Sequence, residues 1–274
     1  MAGTRARAPE AAPVPAPLRA RYEVTRAVLA GRPVLRLTPR RGATGRHLLY
    51  THGGAYAFPL QEAHWWLLQH AAKDTGVTLT VPLYRLAPEG DAREAYGLLR
   101  AVYARLCAEA GPGNVTLAGD SAGGGLALGQ AVAYRDAGVG TPRQVLLFSP
   151  WLDLTMSHPG VPALEPLDPL LRKDDLIEAG RLWAHGADPR DPLLSPQFAD
   201  VTGLPPVHVF QGGRDLFAAD AGLLAGRLAT AGNDGTFTFE PEGGHVYMSA
   251  VWTPEARRSL TVVRRLLRED SPVV

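Results

Sequence analysis

The sequence predicts an α/β fold in which a mostly parallel sheet is covered by helices on both faces. Short apolar runs rich in Val, Leu and Phe alternate along the 274-residue chain with longer segments of helical periodicity. Several of these runs are apolar at nearly every position, which is typical of strands buried on both faces. Alternation of this kind predicts parallel strands joined by right-handed helical crossovers.

The elements follow in order from residue 22. The first two strands form a hairpin that turns at Ala30 and Gly31. We expect strands at residues 22–29, 33–38, 46–50, 77–82, 115–119, 144–149, 207–211 and 237–240. We expect helices at residues 64–75, 92–110, 123–137, 173–184, 218–231 and 254–268.

The chain divides into a lead-in and one large domain. Residues 1–21 are rich in Ala, Pro and Arg, so we expect a flexible N-terminal segment that could form part of a cap. Residues 22–274 form the predicted domain. Residues 155–196 interrupt the alternation of strands and helices, since they contain many prolines and one predicted helix. An insertion there lies above the carboxyl ends of the strands, where ligands bind in open sheets, and we interpret it as a small helical cap.

Composition excludes several classes of partner. The 28 basic and 27 acidic side chains nearly cancel, so the sequence predicts neither nucleic-acid binding nor attraction to an anionic membrane. No apolar run reaches the roughly 20 residues that span a bilayer, and no signal peptide is visible, so we expect a cytoplasmic protein without a membrane span. The single Cys107 excludes an intramolecular disulfide and argues against a metal site. A homodimer is possible.

The nucleophile motif is Gly-Asp-Ser-Ala-Gly at residues 119–123. It follows an apolar strand and opens a helix rich in small residues. A turn this tight holds its serine in a strained conformation, and only small residues on either side let the backbone pass. We therefore predict Ser121 as a nucleophile at a helix N-terminus, rather than an incidental serine in a glycine-rich turn. A phosphate-binding loop is excluded because no Lys-Ser/Thr pair follows the glycines.

An oxyanion hole is predicted from the sequence Thr-His-Gly-Gly-Ala at residues 51–55, directly after a strand. Consecutive glycines can turn their N–H groups into a cleft without a Cβ clash. A tetrahedral intermediate needs such preorganised donors. We expect the N–H groups of Gly53, Gly54 and Ala122 to supply them. His52 is interpreted as a structural residue that braces the loop.

The general base and its acid are predicted from chain order. His245 lies in a Gly-flanked loop after the last strand, and an acid should precede it in the order Ser, acid, His. Asp215 follows the strand at 207–211 and suits this role. Asp220 is the rival, but it lies at a helix start, where capping or the helix dipole explains an acidic residue. The predicted triad is Ser121, Asp215 and His245.

These motifs resemble the hormone-sensitive-lipase-like (bacterial class IV) esterases of the α/β-hydrolase fold. The resemblance runs from about residue 46 and covers nearly all of the remaining chain. It depends on HGGA at 52–55, YRLAPE at 84–89, GDSAGG at 119–124, SPWLDLT at 149–155, DPLLSP at 191–196, LPPVHVFQGGRDL at 204–216 and GGH at 243–245.

The resemblance implies a serine carboxylesterase that hydrolyses small acyl esters beneath a helical cap without a cofactor or metal. Within the family's D-x-L-x-D-D pattern, Asp215 matches the catalytic acid and Asp220 the last aspartate. Ala55 departs from the family, where a third glycine is usual. A lactonase, an amidase, an acyltransferase or a non-catalytic small-molecule binder on the same fold are the alternatives; a binder is disfavoured because His245 is present.

Overall fold

The computed structural model describes residues 10–268, and the α/β prediction is confirmed. Eight strands form one sheet in the order β1-β2-β4-β3-β5-β6-β7-β8. The strands are β1 Tyr22–Leu29, β2 Arg32–Pro39, β3 His47–Thr51, β4 Thr78–Pro82, β5 Val115–Asp120, β6 Gln144–Phe148, β7 Val207–Gly212 and β8 Phe237–Glu240. The first pairings, β1 with β2 and β2 with β4, are antiparallel, and the other five are parallel.

The β1–β2 hairpin closes through the predicted two-residue turn. Leu29 pairs with Arg32, and the intervening Ala30 and Gly31 have φ angles of 46° and 72°. Two positive φ values in succession belong to a type I′ turn, whose twist matches that of the strands it joins. The hairpin therefore extends the parallel sheet by an antiparallel edge.

Helices cover both faces of the sheet. They are α1 Ala16–Arg21, α2 Glu62–Ala71, α3 Ala92–Ala110, α4 Ser121–Asp136, α5 Val161–Leu164, α6 Lys173–Ala184, α7 Ala218–Thr230 and α8 Pro254–Arg268. Apolar residues of α3, α4 and α7 belong to one core cluster, and those of α1, α2 and α8 belong to the other. Within residues 10–268, no helix is both long and apolar enough to cross a membrane.

The central strands are buried on both faces because their side chains alternate between the two cores. In β6, Val145 and Leu147 belong to the first cluster, whereas Leu146 and Phe148 belong to the second. Every residue of β6 is buried. This explains the uninterrupted apolar runs in the sequence, since a strand covered on both sides needs no polar face.

Two predicted helices differ from the structure by two residues or more at one end or both, whereas the other predicted boundaries that differ do so by one residue. The helix expected at 64–75 is α2, which ends at Ala71. Asp74 adopts a left-handed φ of 58°, and the hydroxyl of Thr75 donates to the carbonyl of Ala72 at 2.8 Å. These contacts turn the chain back toward β4 and stop the helix. The helix expected from residue 123 begins two residues earlier, at Ser121 itself.

The N-terminal segment is not a loose lead-in over residues 10–21. Its end forms α1, and both Val14 and Leu18 are buried in the second core cluster. The indole Nε1 of Trp65 donates to the carbonyl of Ala12 at 2.9 Å. The apolar residues placed among the Ala and Pro residues hold this stretch against α2 and β1. The rest of the predicted lead-in, residues 1–9, lies outside the described residues.

The segment predicted as a cap, residues 155–196, carries the short α5 and the longer α6. It lies in the connection between β6 and β7, and α6 buries Leu176 and Trp183 in the first core cluster. Trp183 stacks on Tyr56, with ring centroids 4.4 Å apart. Because Tyr56 follows the predicted oxyanion loop, this stacking fixes α6 above the carboxyl ends of the strands.

We predict that Leu18→Ala destabilises the protein by about 2–4 kcal/mol, since it empties a fully buried site in the core. Urea unfolding followed by circular dichroism measures the change. Arg19→Ala on the same helix is the matched control, because its side chain is exposed, and it should stay within about 0.5 kcal/mol. Equal effects from the two variants would show that α1 is not docked.

Candidate active site

Ser121 lies at a sharp turn between β5 and α4. Its φ of 52° is in the left-handed region, which a residue with a Cβ adopts only under strain. A Cβ on Gly119 would overlap the carbonyl of Gly123, and one on Gly123 would overlap the carbonyl of Thr51. Gly119 is therefore required for the chain to turn from β5 into α4, and Gly123 for α4 to begin this close to β3, which explains the motif in physical terms.

Asp215 and His245 are brought together from loops that follow neighbouring strands. The Oδ2 atom of Asp215 is 3.1 Å from Nδ1 of His245. Its Oδ1 atom accepts the N–H of Phe217 at 3.0 Å, and the residue is fully buried. Two partners thus fix the carboxylate, and the carboxylate fixes the imidazole ring.

The two loops are in close backbone contact. A Cβ on Gly212 would overlap the carbonyl of Gly243, and the N–H of Arg214 donates to that same carbonyl at 2.9 Å. On the other side, the hydroxyl of Ser149 accepts the N–H of Val246 at 3.0 Å. These contacts hold the loop that carries His245 against the carboxyl ends of both β6 and β7.

The electrostatic surroundings favour a protonated His245. Burial lowers the pKa of its imidazole, but the charge and hydrogen bond of Asp215 raise it. Asp168 and Asp120 add smaller effects in the same direction, and the net pKa is above the ordinary value of 6.5. The site therefore stabilises an imidazolium, the form that a general base takes once it has accepted a proton.

Ser121 and His245 line the same cavity, which has a volume of about 450 Å³. Its walls are mainly apolar and come from the loop after β3, from α2 and from α6. Leu67 on α2 and Leu176 on α6 are examples of these wall residues. A cavity of this size and character is typical of a site for a small organic ligand.

The predicted oxyanion loop follows β3, but one of its predicted donors is wrong. The N–H of Gly53 donates to Oδ1 of Asp120 at 2.9 Å, so this group is already satisfied and does not serve the cavity. Gly54 and Ala55 line the cavity beside Ser121. Their φ angles are 109° and 51°, which shows how sharply the loop bends there. The sequence could not reveal which of the successive N–H groups turns inward.

Comparison with known proteins decides the family. A family model described as the alpha/beta hydrolase fold matches residues 48–249. A crystal structure of an esterase from the bacterial hormone-sensitive lipase family superimposes with a TM-score of 0.84 at 30% identity, covering 90% of this chain and 84% of that chain. The chain belongs to the hormone-sensitive-lipase-like esterase family. This confirms the predicted resemblance and places the protein in the carboxylesterase class of enzymes.

Curated relatives of this esterase have related names. An acetyl-hydrolase of Streptomyces hygroscopicus is 37% identical over 230 residues, which are 82% of this chain and 76% of that protein. A triacylglycerol lipase of Mycobacterium tuberculosis is 31% identical over 77% of this chain. The match covers 44% of that lipase, so this esterase spans less than half of its length.

Asp120 of the esterase, which directly precedes Ser121 in the nucleophile motif, has a role that the motif did not indicate. Besides Gly53, it accepts the hydroxyl of Tyr50 at 2.5 Å, and Nε2 of His64 is 3.4 Å from its Oδ2 atom. The N–H of Gln61 donates to the other ring nitrogen of His64 at 2.7 Å, which leaves the proton on Nε2. Asp120 thus joins the oxyanion loop to α2.

The pKa of Asp120 reflects this network. Burial raises the pKa, but the neighbouring His64 and the hydrogen bonds from His64, Tyr50 and Gly53 lower it, and the net effect is a lowered pKa. The carboxylate is therefore charged although it is buried. No signal in the sequence beyond the presence of an acid next to Ser121 could have identified this network, because Tyr50 and His64 lie on separate elements.

The interpretation of His52 as a structural residue agrees with its surroundings in the esterase. Its Nδ1 is 2.8 Å from the carbonyl of Gly53, and its ring stacks on Tyr84 at a centroid distance of 4.5 Å. Burial and His64 lower its pKa to about 4, so the ring is neutral at pH 7. The hydroxyl of Tyr84 donates to the carbonyl of His52 at 2.8 Å. Tyr84 opens the YRLAPE motif, which therefore supports the oxyanion loop.

Asp220, the rival acid, is buried and is not among the acidic groups that raise the pKa of His245. Its Oδ2 atom has no hydrogen-bond partner within the described part of the chain. Burial and the charge of Asp153 raise its pKa from 3.8 to about 7. Asp220 is therefore largely neutral below neutral pH. Among residues 10–268, no group of three or more His, Cys, Asp or Glu side chains is arranged to hold a metal ion.

We predict that Asp220→Asn changes the pH dependence of stability. Between about pH 4 and pH 7, folded Asp220 keeps a proton that the unfolded chain releases. The wild type therefore loses stability as the pH rises through this window, by on the order of 2–4 kcal/mol, and the uncharged amide abolishes that loss.

Urea unfolding at pH 5 and pH 8 measures the difference. The exposed Asp234→Asn is the matched control and should keep the wild-type dependence. If Asp220→Asn and Asp234→Asn lose equal stability between the two pH values, Asp220 does not carry the effect.

Proposed function

We propose that this esterase hydrolyses small, short-acyl carboxylic esters through an acyl-enzyme on Ser121, with His245 as base and Asp215 as the acid that orients it. One observation carries the proposal: His245, which contacts the buried Asp215 at 3.1 Å, lines the same cavity as a serine held at a strained turn. This is the arrangement that nucleophilic catalysis requires of three residues from distant parts of the chain.

In the first half of the cycle, the hydroxyl of Ser121 attacks the ester carbonyl carbon. His245 accepts the hydroxyl proton on Nε2, because its Nδ1 is committed to Asp215. The C–O bond to the alcohol then breaks, and His245 returns the proton to the departing oxygen. The buried charge of Asp215 stabilises the imidazolium formed in between.

Three backbone N–H groups stabilise the oxyanion in this proposal. Ala122 supplies one at the N-terminus of α4, where the unpaired N–H groups favour negative charge. Gly54 and Ala55 supply the others, with Ala55 in place of Gly53, whose N–H is held by Asp120. Each such donor contributes about 3 kcal/mol to the stability of the transition state.

The second half of the cycle removes the acyl group. Water enters the cavity, His245 takes one of its protons, and the resulting hydroxide attacks the acyl carbon. The bond to Ser121 then breaks, its oxygen regains a proton from His245, and the carboxylic acid leaves. Every group that acts in this cycle is a side chain or backbone group of the protein or a water molecule, so the proposed reaction requires no cofactor.

A short acyl group is supported by the name of the acetyl-hydrolase relative and by the walls of the cavity. Leu67, Leu176 and Ala179 bring apolar surface from two sides, which suits a small apolar substituent on the ester. An acyltransferase with the same triad differs only in the acceptor, an alcohol or amine instead of water.

The triad is tested with three variants on p-nitrophenyl acetate. Ser121→Ala should lower kcat by about 10⁶-fold and Asp215→Asn by about 10⁴-fold, because the first removes the nucleophile and the second the charge that orients His245. Asp220→Asn is the matched control and should stay within a few-fold of the wild type. If Asp220→Asn lowered kcat more than Asp215→Asn, Asp220 would be the acid of the triad.

The same assay over a graded series of p-nitrophenyl esters tests the acyl length. Wild-type kcat/KM should be highest for acyl chains of two to four carbons and at least about tenfold lower beyond eight, since a longer chain must leave the cavity for water. A maximum at long chains would contradict the short-acyl proposal. No turnover of any ester by the wild type would favour the acyltransferase or the non-catalytic small-molecule binder over the esterase.

A further inference from the structure

Asp168 is a buried carboxylate in the cap that the catalytic cycle does not use. It lies between α5 and α6 and is 2% exposed. Its Oδ1 atom accepts the N–H groups of Leu170 and Leu171 at 2.8 and 2.9 Å. Its Oδ2 atom accepts the N–H of Leu216 at 2.9 Å, from a loop 48 residues further along the chain.

These three donors belong to two different parts of the site. Leu170 and Leu171 line the cavity beside Ser121 and His245, so they form part of the wall that a substrate contacts. Leu216 directly follows Asp215, so its N–H belongs to the peptide that carries the carboxylate facing His245. One buried carboxylate therefore holds the cap wall and the acid loop together.

We propose that Asp168 is a positioning residue, which fixes Asp215 against His245 and couples that geometry to the Leu170–Leu171 wall of the substrate cavity. The inference rests on the proposed function, because it assigns no chemistry of its own to Asp168. A carboxylate suits this task, since it is a strong acceptor for all three N–H groups at once. An amide oxygen would serve fewer of them, and its NH₂ group would face an N–H donor.

Charge provides a second effect of Asp168. Asp215, Asp168 and Asp120 are the acidic groups that raise the pKa of His245, each from a different loop or strand. Near Asp168, the guanidinium of Arg172 donates to the carbonyls of Asp168 and Leu171. Removing the negative charge of Asp168 should lower the pKa of His245, whereas a purely structural residue would leave that pKa unchanged.

The test compares kcat and the pH profile of kcat/KM for Asp168→Asn, Asp168→Glu and the wild type on p-nitrophenyl acetate. Asp168→Asn should lower kcat by about 10- to 100-fold with a smaller change in KM, and the acidic limb of its profile should move to lower pH. Asp168→Glu keeps the charge but not the reach, so its acidic limb should stay near the wild-type position while kcat falls.

Asp174→Asn is the matched control, because it removes an exposed acid from α6 in the same cap. It should leave both kcat and the acidic limb unchanged. A folded Asp168→Asn with a wild-type kcat and pH profile would overturn the proposal. If Asp168→Asn does not fold, a wild-type kcat for Asp168→Glu would overturn it.

Ser121→Ala, measured in parallel, separates this inference from the proposed function. Wild-type rates in Ser121→Ala would contradict the proposed triad and, with it, the role of Asp168. Loss of activity in Ser121→Ala together with a wild-type profile in Asp168→Asn would overturn only the role of Asp168.

Discussion

The site depends on one steric constraint: the backbone turns so tightly from β5 into α4, and passes so close to the end of β3, that no Cβ fits at residue 119 or at residue 123. Gly119 and Gly123 meet that constraint, and Ser121 adopts the strained φ of 52° that results. The strain is held in place by the fully buried strands around it. The same turn places Ser121 at the N-terminus of α4, at the carboxyl ends of the parallel strands. The predicted oxyanion loop and α6 line the cavity there.

Buried carboxylates then organise the loops around that turn. Asp215 fixes His245, Asp120 fixes the oxyanion loop through Gly53, and Asp168 fixes the acid loop through Leu216. Each accepts backbone N–H groups, and such bonds offset the cost of burying a charge. All three lie close enough to His245 to raise the pKa of its imidazole. The positions of the loops and the basicity of the site therefore have a common origin.

Much of this could be predicted from the sequence, because the relevant signals are local. Apolar runs gave the strands, and the Gly-flanked Ser121 and His245 marked loops whose positions follow from the order of strands in the sheet. The role of Gly53 was predicted wrongly, because the direction of a single N–H group depends on Asp120, 67 residues away. The network of Tyr50, His64 and Asp120 likewise joins separate elements. The docking of residues 10–21 was missed because two apolar side chains among Ala and Pro give little periodicity.

The proposed catalysis requires that the strained turn presents Ser121 to N–H groups that stabilise an oxyanion. A crystal structure of the protein after reaction with a p-nitrophenyl alkylphosphonate tests it most directly, because the tetrahedral adduct mimics the intermediate. We expect phosphorus bonded to Oγ of Ser121, with the phosphoryl oxygen about 3 Å from the N–H groups of Gly54, Ala55 and Ala122. An adduct on another residue, or a phosphoryl oxygen turned away from all three N–H groups, would contradict it.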